Sequence, residues 1–366
     1  MREKYTVGMS YVPRRYTITD GILESIGQIE ACKAVIENAP LIPSWEREFV
    51  IDAKARTVHY STHLEGNPLD FPDVKKIIEG YESDIVARDR DVYEVINYRE
   101  AVKYIEELFE KAKKNKKTSS DIFSLDLISK IHSILSNKIL SDDRRGAIRV
   151  RPADLVSSEG FRQVLIFPKP ERILPLLKKF VSWMNSSDAI KTHPVLKSGI
   201  VHYELTRIHP FDDQNGRTAR TLSTLVLYLD GYDIKSFFSL DEHFDEDPLG
   251  YYNALASAQK SEGDLTGWLE YFCLGLSIEL NRVKEKVLKL SKDVKLKEAV
   301  GQIALNERQE RLVNYIQDYG YVNNKKWKGI LPDYSDDTIL RDVKDLIKKK
   351  VVKKVGSTKS ARYVLR

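Results

Sequence analysis

The chain has 366 residues, enough for two or three domains with their own cores, and its 42% hydrophobic and 31% charged residues are ordinary for a water-soluble protein. Two cysteines, Cys32 and Cys273, stand far apart with no redox or metal-ligand spacing, and no stretch approaches about 18 uninterrupted apolar residues. Disulfide scaffolds, membrane spans and secretion are therefore excluded as expectations and a cytoplasmic location is expected. The net charge of +5 is uneven, because residues 301–366 hold fifteen Lys/Arg against eight Asp/Glu, a net +7, which leaves −2 for the 300 residues before them.

In chain order, residues 17–38 carry Ile18, Ile22, Leu23, Ile26, Ile29, Cys32 and Val35 at helical spacing, and Pro40 with Pro43 separates that helix from the next. A second helix is predicted from about Pro43 to His63, ended by Glu65-Gly66-Asn67-Pro68, and a third begins at Asp70-Phe71-Pro72-Asp73. Helices are predicted over Asp91–Lys113 and from a Ser120-Asp121 cap through Ile139, with a charged connector at Lys111–Lys117 between them. The pattern changes between Gly146 and Pro170. There Ile148, Val150, Leu155-Val156 and Val164-Leu165-Ile166-Phe167, around Ser157-Ser158-Glu159-Gly160, predict a β-hairpin. Helices resume over Glu171–Met184 and Leu196–Ile208.

The chemistry is densest in His209-Pro210-Phe211-Asp212-Asp213-Gln214-Asn215-Gly216-Arg217-Thr218-Ala219-Arg220, a polar loop between two apolar helices, the second running Thr218–Leu229. His209 is a candidate general base, since imidazole titrates near neutral pH. Asp213 is a hard oxygen ligand suited to Mg²⁺ carrying phosphates. Asn215-Gly216 offers backbone amides at a helix start, and Arg217 and Arg220, three apart on one face, can neutralise phosphate charge. His202 and His209 also share a face, but no third ligand has suitable spacing, so a metal reading is rejected and His202 is expected to pack behind the loop.

At these residues the chain resembles the Fic family, whose signature runs His-x-Phe-x-(Asp/Glu)-Gly-Asn-Gly-Arg-x-x-Arg. Every fixed position matches except Gln214, which stands where the family usually has its first glycine and adds a side chain to the phosphate-cradling turn. The resemblance covers about residues 45–280 and implies a helical core with a small β-hairpin flap. It implies ATP and Mg²⁺ as cosubstrate and metal, and transfer of AMP to a Ser, Thr or Tyr hydroxyl of a protein, the chain itself included. His209 would be the base and Asp213 the metal ligand, with Asn215, Gly216, Arg217 and Arg220 on the phosphates. Tyr251, Tyr252 and Gln259 would line the base by position, with core packing as the alternative for the tyrosines. The flap near 146–170 would hold the target segment by backbone pairing.

Ser61-Thr62-His63-Leu64-Glu65-Gly66 resembles the family's inhibitory (Ser/Thr)-x-x-x-Glu-(Gly/Asn) motif, whose glutamate pairs with the second motif arginine, here Arg220. That makes Ser61 and Glu65 the expected inhibitory residues. Removal of AMP, with Glu65 orienting a water, stays open, as does a transcriptional regulator with a weak or inactive nucleotide-binding core.

After a long helix predicted over Trp268–Leu290, helices at Asn306–Asp318, Asn323–Gly329 and Ser335–Lys350 precede two short apolar runs around a Gly-Ser-Thr-Lys-Ser turn. Three helices and a hairpin resemble a winged helix, with Thr338, Arg341, Lys344 and Asp345 on the recognition helix and Lys353, Lys354, Lys359 and Arg362 on the wing. A DNA partner and a protein or dimerisation partner both stay open, because Asp336, Asp337, Asp342 and Asp345 dilute the basic face. A mainly α protein is expected, with an N-terminal helical region at 1–113, a catalytic core at 114–295 and a winged-helix-like domain at 301–366. A homo-oligomer is a further expected partner state.

Overall fold

The computed structural model describes residues 15–39, 41, 43–153, 165–301, 305–356 and 361–365. The chain divides into two compact units, Met1–Leu288 and Lys289–Arg366.

The first unit is built of helices, in the order α1 Asp20–Asn38, α2 Pro43–His63, α3 Phe71–Glu79, α4 Asp89–Lys114, α5 Ser119–Ile122 and α6 Leu125–Leu135. They are followed by α7 Pro170–Met184, α8 Ser187–Lys191, α9 Pro194–Ile208, α10 Asn215–Leu229, α11 Leu240–Glu246, α12 Pro248–Lys260 and α13 Thr266–Gly301, of which the part up to Leu288 belongs to this unit. The pair α9 and α10 forms the centre: nearly every residue of both is buried, the polar Lys197, Glu204, Arg217 and Arg220 among them. Ile200, Leu205, Ile208, Leu222 and Val226 are buried there. Helices α2, α4 and α6 pack on α10. At Gly199 a Cβ would meet Leu269 at 2.8 Å and the Phe272 ring at 3.2 Å, so glycine lets α9 approach α13 closely, and Trp268 Nε1–H donates to the Gly199 carbonyl at 2.8 Å.

The helix predicted over Trp268–Leu290 runs Thr266–Gly301, and that predicted through Ile139 ends at Leu135. Two other boundaries differ from expectation for local reasons. The helix predicted from Ser120 to Ile139 is two helices, because Ser124 caps α6 by accepting from Leu127 N at 3.1 Å, while a Thr118–Asp121 capping box starts α5. Helix α10 begins at Asn215, three residues before the predicted Thr218, which turns Asn215 and Gly216 into its first turn. Of the predicted hairpin at 146–170, residues 154–164 lie outside the described residues; Ala147–Val150 and Leu165–Phe167 carry no strand. No helix among the described residues is long and apolar enough to cross a membrane.

In the second unit, α14 Glu307–Tyr319, α15 Trp327–Ile330 and α16 Asp336–Lys348 precede β1 Val352–Val355 and β2 Arg362–Leu365, paired antiparallel with Val352 opposite Leu365. Val322 bridges Tyr363 from the other side of β2. Lys359, expected on the wing, lies outside the described residues. Leu312, Ile316, Trp327, Ile339, Val343, Leu346 and Val352 make the core of this unit. Helix α15 starts later than the predicted Asn323, because the Asn323 side chain accepts from Lys325 N and Lys326 N and closes a turn there.

Candidate functional site

Two left-handed residues frame the loop between α9 and α10. His209 ends α9 at φ 48°, and Gln214 precedes α10 at φ 61°, a conformation that L side chains rarely adopt and that gathers at functional sites. The loop is held from several directions. Asn215 clasps it, its Oδ1 accepting from Phe211 N and its Nδ2–H donating to the Phe211 carbonyl, both at 2.9 Å. Beneath it, the buried Arg149 guanidinium donates to the carbonyls of His209, Arg151 and Pro168, each at 2.7 Å. His132 stacks on Phe211 at 3.7 Å, accepts from Gly146 N at Nδ1, and so has its Nε2–H free to donate to the Asp213 carbonyl at 3.1 Å.

His209 carries the base chemistry. Its ring stacks on Phe167 at 3.9 Å, and Nδ1 lies 3.4 Å from the Thr206 carbonyl, so a proton there leaves Nε2 as the basic nitrogen. Burial, aided by the Arg149 charge and opposed by Thr206, Glu65 and Asp213, pulls its pKa from 6.5 to about 4. The imidazole is therefore neutral at pH 7 and able to accept a proton.

The anion side is occupied by the chain's own carboxylate. A Cβ on Gly216 would collide with Glu65 Oε1, so Glu65 lies directly over the first turn of α10, where free amides and the helix dipole favour negative charge. Arg220 Nη2–H donates to Glu65 Oε1 at 3.0 Å and to the Ser61 carbonyl at 2.9 Å. Its Nε–H lies 2.8 Å from Ser61 Oγ and 3.0 Å from Asp241 Oδ1. Arg220 Nη1 is buried with no hydrogen-bond partner among the described residues. Burial pushes the Asp241 carboxyl up although Arg220 opposes it.

Arg217 behaves differently. It pairs with Glu94 Oε2 of α4 at 2.8 Å and donates to Gln214 Oε1 at 2.6 Å, both inside the protein. The Gln214 side chain thus folds inward onto Arg217 and does not fill the turn above Gly216. Asp213 accepts from Arg90 Nη2 at 2.6 Å and from Gln214 N at 2.7 Å. Burial opposes it, but the Gln214 amide and Arg90 hold its pKa below the usual carboxylate value. No group of three or more His, Cys, Asp or Glu side chains suited to a metal occurs among the described residues. Mg²⁺ that arrives with phosphates keeps waters and needs only one or two protein carboxylates, so Asp213 fits that duty once Arg90 turns away.

Residues 122–227 match the model of the Fic/DOC family. The chain carries a Fic domain. A protein adenylyltransferase Fic from Aedes aegypti is 28% identical over 188 residues, 50% of this chain and 33% of its own length. Protein adenylyltransferase fic-1 from Caenorhabditis elegans is 29% identical over 182 residues, 48% of this chain and 32% of its own. The chain thus spans about a third of the length of these curated relatives. A crystal structure of a Fic family protein from Desulfovibrio desulfuricans G20 shares the fold, with a TM-score of 0.65 and 21% identity over 97% of this chain and 98% of that one.

Within the Fic domain and its surroundings, three predicted base-lining residues separate. Tyr251 is buried in an aromatic cluster with Phe244 and Trp268, and its hydroxyl meets His202 Nε2 at 2.9 Å, so His202 packs behind the site as expected. Tyr252 stays partly exposed and packs edge-on against Tyr251. Gln259 grips the backbone of Ile166, accepting from its N–H at 2.9 Å and donating to its carbonyl at 2.8 Å, next to the Phe167 that covers His209. Sequence reasoning missed Arg90, Glu94, His132, Arg149, Phe167 and Asp241. For His132 the only clue is its place on the buried stripe of Ile128, Ile131 and Leu135.

Proposed function

We propose that this chain transfers AMP from ATP to a Ser, Thr or Tyr hydroxyl of a protein, itself included, and that Glu65 restrains the transfer. The observation that supports this most is the loop between α9 and α10. A neutral imidazole stands at one end, and at the other the carboxylate of Glu65 sits on Gly216 and Arg220 as a resident anion. A seat that takes a carboxylate suits a phosphate, which offers more acceptor oxygens for the same amides and guanidinium.

In the reaction His209 Nε2 takes the hydroxyl proton while the hydroxyl oxygen forms its bond to the α-phosphorus. The bond from that phosphorus to the bridging oxygen breaks, and pyrophosphate leaves with the electron pair. The amides at Asn215 and Gly216 and the Arg220 guanidinium stabilise the charge on the departing group, and Arg217 buttresses the turn from below through Gln214 and Glu94. Asp213 is the residue to hold Mg²⁺, which when bound neutralises phosphate charge and orients the ATP. Ser61 positions Arg220, and Tyr252 is the partly exposed ring left to face the base. Phe167, clamped through Ile166 by Gln259, shields the His209 ring from water.

Two other readings use the same parts. In removal of AMP, Glu65 orients the attacking water; in a transcriptional regulator, the core senses nucleotide without turning it over, and residues 301–366 supply a DNA or protein contact. Incubation of wild type, Glu65→Gly and Glu65→Gly/His209→Ala with α-labelled ATP, Mg²⁺ and a cell extract separates them. Label in Glu65→Gly well above the other two is the expected result. Equal label in all three sinks the restrained-transferase reading, and loss of label from pre-modified protein on adding wild type supports removal.

A further inference from the structure

The backbone that carries Glu65 is tied down before and after it, and its side chain is not. Arg56, in the middle of α2, donates through Nη1 to Glu242 Oε2 of α11 at 2.5 Å and to the buried Glu279 Oε1 of α13 at 2.6 Å. In the last turn of α2, His63 Nδ1 lies 2.8 and 2.9 Å from the two Asp245 oxygens of α11, so this nitrogen carries the proton and donates. Past the helix, the amides of Leu64, Glu65, Gly66 and Asn67 all return to the carbonyls of Tyr60, Thr62 and His63, at 2.8–3.1 Å. The buried Asn67 side chain then donates to the Asp91 carbonyl and to Glu94 Oε2, both at 3.0 Å. Glu65 itself is 32% exposed in its side chain, and Arg220 is its one hydrogen-bond partner among the described residues.

Arg220 depends on α2 for its own aim. Its Nε–H and Nη2–H reach Ser61 Oγ and the Ser61 carbonyl, one helical turn before Glu65, and Ser61 is fully buried. If α2 withdrew to carry Glu65 out, Arg220 would lose both contacts, and the cation meant for a phosphate would lose the bonds that orient it. Withdrawal would also pull Arg56 from Glu279 and strand a buried carboxylate, which is costly. A turn of the Glu65 side chain breaks one partly exposed ion pair, the cheaper kind of break, and leaves Arg220 with Ser61 and Asp241.

We propose that Glu65 leaves the seat by a turn of its own side chain while α2 stays in place, and that Ser61 is a positioning residue for Arg220 in the active state as well as in the restrained one. Helix α2 is then a standing wall of the phosphate seat. Carboxylate and incoming phosphate exchange over an Arg220 that keeps its place. Wild type therefore takes ATP without loosening α2, at a higher concentration than Glu65→Gly needs. This mode of release rests on the reading that Glu65 restrains transfer, and adds how the restraint is lifted and which contact outlasts it.

Two measurements test it. Hydrogen exchange of the full chain, read by mass spectrometry with and without Mg²⁺ and ATP at a concentration that titration shows to be saturating, follows the amides of residues 52–67. In wild type these are expected to exchange no more than about twofold faster with ATP than without it. Exchange at least about tenfold faster on adding ATP overturns the proposal, and so does a wild type that takes no ATP at any concentration when Glu65→Gly does. Second, Ser61→Ala is introduced into Glu65→Gly, with circular dichroism to check folding. The ATP concentration for half-maximal label transfer is expected to rise at least about threefold, with the maximal rate changed less, and Ser61→Thr, which keeps a hydroxyl, is expected to reverse most of that rise. An unchanged ATP requirement in folded Ser61→Ala/Glu65→Gly means that Ser61 has left Arg220 in the active state, and overturns the proposal; if that variant does not fold, hydrogen exchange decides alone. If Glu65→Gly neither binds ATP better than wild type nor gains label, the restraint reading itself fails. With that gain intact, the overturning results above remove this mode of release alone.

Discussion

Arg217 and Arg220 look equivalent in the motif, one helical turn apart on α10, yet they sit in opposite environments. Arg217 is spent on structure: Glu94 and Gln214 hold it inside, and Glu94 is in turn steadied by Asn67 Nδ2 at 3.0 Å and Arg90 Nε at 3.1 Å. Burial opposes ionisation of Glu94, but Arg217 and Asn67 keep its pKa below the usual carboxylate value. Arg220 is just as buried but is held toward the seat. Ser61 and Asp241 fix its Nε, while Nη2 touches Glu65, whose side chain is 32% exposed, and Nη1 has no partner among the described residues. What a motif arginine does is therefore decided by residues far from the motif, and one of the two remains poised to exchange a carboxylate for a phosphate.

Removing each arginine breaks this contrast most strongly. Arg220→Ala leaves Asp241 buried without its cation and is expected to cost roughly 3–5 kcal/mol, the range for stranding one member of a buried pair. Arg217→Ala leaves Glu94 with Arg90 and Asn67 and is expected to cost less, about 1–3 kcal/mol. Urea unfolding followed by circular dichroism ranks the two, and the reverse order would contradict the assignment of partners.

Acid tests the loop on which both arginines depend. Burial lowers His132 and His209 from 6.5 to about 4, so between those values the unfolded chain binds more protons than the folded one. Their contribution to stability is complete above pH 6.5 and is lost as pH falls toward 4. A melting temperature that declines over this window, and less steeply in His209→Ala, is the expected profile. The acid limb of any transfer activity should likewise lie well below pH 6.5.

A smaller effect is expected at Asp213. Arg90, half exposed, competes with a cation for that carboxylate, so Arg90→Ala should lower the Mg²⁺ concentration needed for nucleotide binding by about threefold to tenfold, in line with roughly 1 kcal/mol for such a pair. Titration of Mg²⁺ into Glu65→Gly with a fluorescent ATP analogue, with and without Arg90→Ala, measures it. Smallest of all is Gln214→Gly. It removes the hydrogen bond to Arg217 but relieves a side chain at φ 61°, and the two are expected to cancel to within about 1 kcal/mol. A large loss would mean that Gln214 carries more of the turn than its contacts indicate.

The loop itself was legible because its parts are contiguous. Twelve adjacent residues state base, turn and cations, and the helices on either side follow from apolar spacing and Pro210. The Ser61 to Glu65 partnership was legible only through a short motif read together with the loop. Arg90, Glu94, Arg149 and Asp241 were not, since each reaches the loop from a distant stretch, up to 123 positions away for Arg90, and pairs through tertiary packing that no local pattern encodes. The direction of Gln214 was hidden for the same reason, because its side chain answers to Arg217 and Glu94. The break at Phe123 escaped because Ser124 caps a new helix inside what periodicity reads as one. In the second unit the apolar stripe of α16 was plain, but the bonds from Asp342 and Asp345 to side chains of α14 were not.

Restraint of the transfer requires Glu65 to stand where a nucleotide phosphate would sit. Intact-mass analysis of Glu65→Gly after incubation with ATP and Mg²⁺, beside wild type and Glu65→Gly/His209→Ala, tests that most directly. A mass gain of one adenylyl group in Glu65→Gly alone is the predicted result. No gain in any of the three, with ATP binding to Glu65→Gly verified separately, would contradict it.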